Sequence, residues 1–126
     1  MALKFYRCNH CGNIVVKVVD KGVPVMCCGE PMEELDPNTV DAAVEKHVPV
    51  ATVNGAAVDV VVGEVEHPMG EDHYITMIVL ETAKGFQVAP LTPSDAPKAS
   101  FAVAQGDSAV AVYEYCNLHG LWKAEL

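Results

Sequence analysis

The feature that most constrains this chain is a set of four cysteines, arranged in two close pairs within the first 30 residues. The spacing is C-x2-C-x15-C-C, and a glycine directly follows the second and the fourth thiol. A segment this short cannot bury enough apolar surface to fold alone, so it needs a metal ion or a partner subunit. Four thiolates complete a tetrahedral shell for either zinc or iron. The sequence therefore predicts a small metal-bound domain at residues 1–36, with the ligands Cys8, Cys11, Cys27 and Cys28.

The second cysteine pair consists of adjacent residues, and this places a demand on the backbone. Neighbouring side chains point in opposite directions along an extended chain, so the backbone must fold sharply for Cys27 and Cys28 to reach one ion. The stretch "NIVVKVVDKGVPVMCCGEP" predicts a strand, a turn at Asp20-Lys21-Gly22 and a short second strand. We expect His10 to be an exposed loop residue, because four thiolates already fill the metal shell.

The remainder of the chain has the pattern of an all-β domain, residues 37–126. Asp36-Pro37-Asn38 is a turn signal at the boundary, and a single helical turn could follow from Val40 to Val44. Seven short segments rich in β-branched residues, separated by turn residues such as Asn54-Gly55, predict an antiparallel sandwich or a small barrel. The expected strands are Val50–Asn54, Ala57–Glu66, Tyr74–Glu81, Phe86–Ala89, Ala99–Ala104, Ala109–Cys116 and Leu121–Ala124.

The charge and the cysteine content limit the classes of partner and compartment. The formal net charge is -9, with 17 acidic and 8 basic residues, which argues against nucleic acid or an anionic membrane as the partner. The segment "MALKFYRCNHCG" has no apolar signal region, and no apolar run approaches the roughly 18 residues of a membrane helix. We therefore expect a cytoplasmic protein, in which five cysteines, an odd number, serve metal binding or redox chemistry more readily than disulfides.

A second group of potential metal ligands lies in the β domain, at strand ends and in loops. Its members are His47 before a strand, His67 and His73 on either side of the "PMGED" loop, and Cys116 and His119 around the last turn. A single histidine of this kind is more often a surface or core residue than a ligand. Four histidines and a cysteine at loop positions of one domain favour a shared site.

The number of donors in this group indicates which metal would bind. Structural zinc is nearly always four-coordinate, and catalytic zinc usually keeps three protein ligands. Five donors with imidazole predominating suit iron better. Four imidazoles in a plane with a thiolate beneath would leave the position opposite the sulfur open, and thiolate donation alters bonding there. This arrangement predicts redox chemistry on a small molecule.

The order of the motifs resembles the desulfoferrodoxins, the two-iron superoxide reductases, over nearly the whole chain. The matching stretches are C-x2-C with C-C, "EKHVP", "HPMGEDHYI" and "YCNLHGLW". The resemblance implies a desulforedoxin-like iron centre at the four N-terminal cysteines, followed by a seven-stranded immunoglobulin-like β-sandwich. A second iron would have His47, His67, His73 and His119 as equatorial ligands and Cys116 as the axial ligand. It also implies a homodimer that reduces superoxide to hydrogen peroxide with electrons from rubredoxin-type donors.

Charge explains how an acidic domain could attract an anion. Residues 37–126 contain 12 acids and four lysines, and Lys46 is the only basic residue between Lys21 and Lys84. A lysine beside the ligand His47 could focus the local field, although a solvated surface lysine is an equally good reading of the sequence alone. The family resemblance implies that Lys46 attracts superoxide and helps to arrange protonation, and that Glu45 can bind the oxidised iron after turnover.

Two other classes of function remain open on the sequence alone. One is an iron- or zinc-stabilised electron-transfer or binding module without superoxide chemistry, which would hold at most one metal per chain. The other is a metal-storage or sensing protein, which needs neither an open coordination position nor an adjacent lysine.

Overall fold

The structure is a computed structural model that describes residues 3–126. The chain divides into two compact units, and the boundary falls between Asp36 and Pro37. Within the described residues, no helix is long and apolar enough to cross a membrane. Almost all regular structure is β, so the predicted all-β class is confirmed.

The first unit consists of short strands held by a small apolar cluster. A three-stranded antiparallel sheet has the order β2-β1-β5, and β3 pairs with β4 in a separate hairpin. Tyr6, Cys8 and Met32 form the buried cluster, so one of its three members is itself a potential metal ligand. The strands are β1 Phe5–Arg7, β2 Ile14–Val16, β3 Met26–Cys27, β4 Glu30–Pro31 and β5 Glu33–Glu34.

The strand, turn and second strand predicted for this unit correspond to β2, a turn and β3. The Asp20 side chain accepts a hydrogen bond from the Gly22 N–H (2.8 Å), and Gly22 has a φ of 77°. Strands β1, β4 and β5 were not predicted, because none of them contains the run of β-branched residues that marks β2.

The second unit is a sandwich of two antiparallel sheets. One sheet has the order β10-β7-β6 and the other has the order β12-β11-β8-β9. All seven predicted strands are present with small differences at their ends. The strands are β6 Pro49–Asn54, β7 Ala57–Val62, β8 Ile75–Thr82, β9 Phe86–Pro90, β10 Lys98–Ala102, β11 Ala109–Cys116 and β12 Gly120–Glu125.

The core of the second unit lies between these two sheets. Strand β7 alternates between exposed and buried residues, which is the pattern of a strand with one face on a core. Its inward residues pack against the central strands β8 and β11 of the other sheet. The buried cluster contains Val58, Val60, Val62, Ile75, Ile78, Leu80, Phe101, Val112 and Cys116.

Two sequence-based boundaries in the second unit are wrong. The helical turn expected at Val40–Val44 lies instead at Val44–His47 (α1). It ends there because Val48 precedes Pro49, and a residue before proline favours an extended conformation. Strand β7 ends at Val62 rather than Glu66, because the chain turns back and the His67 N–H bonds to the Val62 carbonyl (3.0 Å).

Candidate metal centres

The four N-terminal cysteines lie on two tight loops of the first unit. After β1, the Gly12 N–H bonds to the Cys8 carbonyl (2.9 Å), and Gly12 has a φ of 85°. Cys28 and Gly29 form the two-residue loop between β3 and β4, and both have positive φ, 53° and 79°. Such a loop matches the type I′ hairpin turn. The sharp fold expected at the adjacent cysteines is therefore present, with Cys28 in a left-handed conformation that costs about 1–3 kcal/mol.

The sulfur positions of this group fit one tetrahedral ion. The four Sγ atoms all lie within 4.8 Å of one another, and those of Cys11 and Cys27 are 3.6 Å apart. With metal–sulfur bonds of about 2.3 Å, a regular tetrahedron separates its sulfurs by about 3.8 Å. His10 is exposed, as expected for a residue outside the metal shell.

The thiols of this group shift one another's pKa values because they lie so close together. The backbone N–H of Cys11 points at the Cys8 Sγ (3.4 Å) and lowers the pKa of Cys8 to about 6. The neighbouring thiols of Cys11 and Cys8 raise the pKa of Cys27, and they raise that of Cys28 to about 12. Four adjacent thiols cannot all ionise unless a positive charge lies between them.

The second group of ligands gathers at one end of the sandwich. His47 ends α1 just before β6, His67 and His73 lie in the connection from β7 to β8, and Cys116 and His119 border the turn between β11 and β12. The structure thus brings together all five residues predicted from the sequence. Donor atoms of His47, His67, His73 and Cys116 lie within 4.8 Å of one another.

The four imidazoles form a closed ring. Neighbouring ring centroids are 4.8 Å apart for His47 and His67, 4.6 Å for His67 and His73, 5.1 Å for His73 and His119, and 4.8 Å for His119 and His47. Each pair is nearly perpendicular, with interplanar angles of 76° to 86°. The Cys116 Sγ approaches this ring at 3.4 Å from the His67 Nε2 and 3.8 Å from the His119 Nδ1.

Backbone carbonyls determine which nitrogen of two histidines is available. The Nδ1 atoms of His47 and His67 contact the carbonyls of Ala43 and Pro68, each at 2.7 Å. This leaves Nε2 of both rings as a lone-pair donor, the arrangement commonly found for metal-ligating histidines. His119 differs, since its Nδ1 faces the group and lies 3.1 Å from the His47 Nε2.

Burial favours the neutral form of His47, His67 and His73 and divides the site into two sides. His47, His67 and Cys116 are buried, whereas His73 and His119 are half-buried. Burial is the main cause that lowers the pKa of His47 and His73, and it lowers that of His67 to about 4. Burial also raises the pKa of Cys116. Neutral imidazoles are ready to bind a metal, and a metal would in turn favour the thiolate.

The donor set passes a test of fit to a metal ion. Adjacent donors on an ion with metal–nitrogen bonds of about 2.1 Å lie about 3.0 Å apart, close to the separation of 3.1 Å between His47 and His119. The His73 Nε2 is buried and has no hydrogen-bond partner among residues 3–126. A buried polar atom without a partner is costly, so a bound cation would relieve it.

The residues match a known family along their whole length. The family model described as "Desulfoferrodoxin, N-terminal domain" matches residues 2–35, and the model described as "Desulfoferrodoxin" matches residues 39–125. A relative of that name from Nitratidesulfovibrio vulgaris is 48% identical over 97% of this chain and 95% of its own. Another, from Clostridium acetobutylicum, is 43% identical over 98% and 97% of the two chains. This chain belongs to the desulfoferrodoxin family.

Solved structures similar to this chain agree with the assignment to the desulfoferrodoxin family. The crystal structure of the superoxide reductase from Treponema pallidum superimposes with a TM-score of 0.84 and 38% identity, covering 99% of this chain and 100% of that one. The superoxide reductase (1Fe-SOR) from Giardia intestinalis superimposes with a TM-score of 0.55 and 35% identity, and the match covers 65% of this chain and 99% of the Giardia chain.

Glu45 and Lys46, the two other predicted site residues, lie on α1 beside His47, and both are exposed. The Lys46 charge is a minor contribution to the lowered pKa of His47 and His73, after burial and the neighbouring imidazoles, and the Glu45 charge acts in the opposite direction on the pKa of His47. Lys46 has no ion-pair partner among residues 3–126. The Val65 N–H bonds to the Glu45 carbonyl (2.7 Å), and this hydrogen bond connects the backbone of α1 to the segment that follows β7.

Several residues around the histidine ring were not identified from the sequence. The Trp122 ring stacks on His47 with centroids 5.1 Å apart, and its indole N–H donates to the His119 carbonyl (3.0 Å). Gly63 lies against the backbone of Glu45 and Lys46, where a Cβ would come within 2.5 Å. The "YCNLHGLW" motif already contains Trp122, but its spacing from His119 does not show which ring it stacks on.

Proposed function

We propose that this chain is a superoxide reductase that holds two iron ions and converts superoxide to hydrogen peroxide. The observation that carries the proposal is the closed ring of four imidazoles with the Cys116 thiol against it. The similar superoxide reductase structures support the same activity. The reaction consumes one electron and two protons for each superoxide and yields one hydrogen peroxide.

The two donor sets would hold iron in different environments. Cys8, Cys11, Cys27 and Cys28 bind the first ion (centre I), whose four thiolates give the ferrous form two net negative charges. His47, His67, His73, His119 and Cys116 bind the second ion (centre II), which has one net positive charge in the ferrous form. An anionic substrate is therefore attracted to centre II and repelled by centre I.

Solvent access differs between the two sides of the centre II donors. Cys116, His47 and His67 are buried, so a small anion can reach the ring on the side of the half-buried His73 and His119. Iron bound here would supply the one-electron redox chemistry, and Cys116 would provide a thiolate that donates electron density to it. The buried shell around Cys116 keeps water away from this thiolate.

Lys46 and Glu45 are the residues that act on the substrate and product. Lys46 adds positive charge near the ring in a domain that is otherwise acidic, so it steers superoxide to the open side and orders the water that supplies protons. Glu45 would offer its carboxylate to an oxidised metal ion in centre II. Both side chains are exposed, so neither is fixed by packing in the core.

Further features of the protein follow from this function. The oxidised centre must be reduced again, and a rubredoxin-type protein would be the electron donor. A homodimer would cover the exposed apolar side chains of the first unit, Val18, Val19, Val23 and Met26. The cytoplasm suits the protein, because its five free cysteines would be open to oxidation in an oxidising compartment.

One metal analysis separates this proposal from the alternative, a metal-stabilised electron-transfer or binding module. The protein, purified under reducing conditions, is assayed for iron and zinc, and its visible spectrum is recorded before and after oxidation. We expect two irons per chain, a thiolate-to-iron band from each centre, and rapid loss of superoxide in pulse radiolysis with one peroxide formed per superoxide. One metal per chain, or no reaction with superoxide, would establish the alternative.

A further inference from the structure

The His73 imidazole lacks the backbone hydrogen bond that fixes the rings of His47 and His67. The rings of His47 and His67 are fixed by hydrogen bonds from Nδ1 to backbone carbonyls. Among the hydrogen bonds of residues 3–126, none joins the His73 ring to a backbone carbonyl, and its Nε2 is buried without a partner. Metal-ligating histidines usually depend on a bond of this kind to hold the ring orientation. Some other feature must therefore keep His73 in place.

The Asn117 side chain bonds to the backbone on both sides of His73. Its Oδ1 accepts a hydrogen bond from the Tyr74 N–H (2.9 Å), and its Nδ2 donates to the Asp72 carbonyl (3.1 Å). A third bond runs from the Asn117 N–H to the Tyr74 carbonyl (3.2 Å). These three bonds join the turn that carries Cys116 and His119 to the loop that carries His73.

The remaining support of the His73 loop comes from its own backbone and from the strand that follows it, where Ile75 pairs with Cys116 in the register of β8 and β11. Gly70 and His73 exchange two backbone hydrogen bonds of 3.0 and 3.2 Å, which close the loop on itself but do not connect it to another ligand. Only a connection to a second ligand can fix the distance between two donors. Among the described bonds of residues 72–74, those to Asn117 make that connection, because Asn117 is covalently next to Cys116.

We infer that Asn117 is a positioning residue for centre II, which fixes His73 relative to Cys116 through the backbone instead of through the imidazole. The inference rests on the proposed function only in taking His73 and Cys116 as ligands of one ion. Loss of the Asn117 side chain would leave the ring of donors able to form but would let His73 leave the ion more easily. The consequence is faster metal loss from centre II, while centre I is unaffected.

The test compares Asn117→Ala with Asn38→Ala in the two-iron protein. Asn38 is a matched control, since its side chain also bonds one backbone N–H and one carbonyl, both of Lys123 (2.8 and 3.0 Å). Asn38 also has a positive φ of 63°, so its replacement costs at least as much stability without touching a neighbour of His73. A ferrous chelator is added to each reduced protein, and iron release is followed with the centre I spectrum as an internal standard.

We expect Asn117→Ala to release iron from centre II about 10-fold faster than the unaltered protein, with a changed electron paramagnetic resonance signal of oxidised centre II. Asn38→Ala should release it at the unaltered rate. Asn117→Asp retains the acceptor for the Tyr74 N–H, so its rate of iron release should lie between those of Asn117→Ala and the unaltered protein. If Asn117→Ala does not fold, Asn117→Asp replaces it in the comparison. Equal release rates for all variants, or an equal increase in Asn38→Ala, would overturn the inference. An unaltered protein with only one iron would instead overturn the proposed function.

Discussion

At the scale of single residues, Lys46 carries the electrostatic part of the proposed mechanism. Its charge acts on His47 and His73, whereas the other lysines of the second unit lie elsewhere on the sandwich. Replacing Lys46 with Ala should lower the bimolecular rate constant with superoxide by about 10-fold at low salt and weaken its dependence on ionic strength. Pulse radiolysis over a series of salt concentrations measures both.

Lys84→Ala is the matched control for this prediction. Lys84 follows β8 at the end of the sandwich away from the histidine ring, so the variant has the same net charge as Lys46→Ala but leaves the site unaltered. We expect its rate constant to stay near that of the unaltered protein. If both variants slow equally, net charge and not local steering controls the reaction. Glu45→Ala should leave this first step unchanged.

A second residue-scale feature is the buried carboxyl group of Glu114 on β11. Both of its oxygens are buried without a hydrogen-bond partner among the described residues, and burial raises its pKa to about 9. Because this folded-state pKa lies above the usual value, Glu114 is protonated in the folded protein at neutral pH. Its contribution to stability is fully present below about pH 4.5 and is lost as the pH rises toward 9.

Glu114→Gln should remove this loss, because glutamine has the shape of the protonated acid and no proton to lose. The free energy of unfolding of the variant relative to the unaltered protein should rise by about 1.4 kcal/mol per pH unit between pH 6 and pH 8. Urea unfolding followed by Trp122 fluorescence, with equal metal loading, measures the difference. A difference that does not change with pH would mean that the Glu114 carboxylate is solvated or paired.

At the scale of elements, the position of α1 depends on its contact with the turn after β7. A Cβ on Gly63 would lie 2.5 Å from the Lys46 carbonyl carbon and 2.6 Å from the Glu45 oxygen, and both are backbone atoms. Gly63→Ala should therefore move α1 outward, at a cost of about 1–3 kcal/mol in the free energy of unfolding. It should also slow the reaction with superoxide, since Lys46 and His47 move with the helix.

The control for this prediction is Gly85→Ala, at the turn between β8 and β9. A Cβ there meets nothing within 4 Å. Urea unfolding and pulse radiolysis should give values near those of the unaltered protein for Gly85→Ala and reduced values for Gly63→Ala. A stable Gly63→Ala variant with an unchanged rate constant would show that α1 tolerates displacement.

The same element shows how far the sequence could predict this structure. The positions of the strands could be predicted from alternation and turn residues. The four histidines and Cys116 could be predicted as ligands because they lie at strand ends. The turn of α1 lies four residues later than expected, because it is fixed by Gly63 and by the bond between His47 and the Ala43 carbonyl. Contacts between distant segments also determine the roles of Asn117 and Trp122, and periodicity carries no information about such contacts.

At the scale of the whole molecule, the exposed apolar side chains of the first unit bear on oligomeric state. Val18 and Val19 are 77% and 71% exposed, an unfavourable state for two adjacent apolar residues unless another chain covers them. Val19→Glu should shift the proposed homodimer to monomer at micromolar concentration, as measured by sedimentation velocity. Val88→Glu, on strand β9 of the second unit, is the matched control and should remain dimeric. A dimeric Val19→Glu protein would place the interface elsewhere.

The two units differ in how much they depend on metal. The buried cluster of the first unit has three members, and one of them, Cys8, is a proposed ligand. The second unit has nine buried residues in its main cluster, which include Cys116. Since structural metal binding in a small domain contributes directly to folding, loss of centre I should unfold the first unit and leave the sandwich intact.

Paired substitutions at the two centres test this difference within one protein. Cys28→Ser removes a ligand of centre I on an exposed loop, and Cys116→Ser removes the buried thiol of centre II. Limited proteolysis with mass spectrometry should show rapid cleavage within residues 3–36 for Cys28→Ser, with a resistant fragment that begins near Pro37. Cys116→Ser should keep the first unit protected, because its four thiolates and their ion are unaltered. Equal resistance of the first unit in both variants would mean that its strands, and not its metal, hold it together.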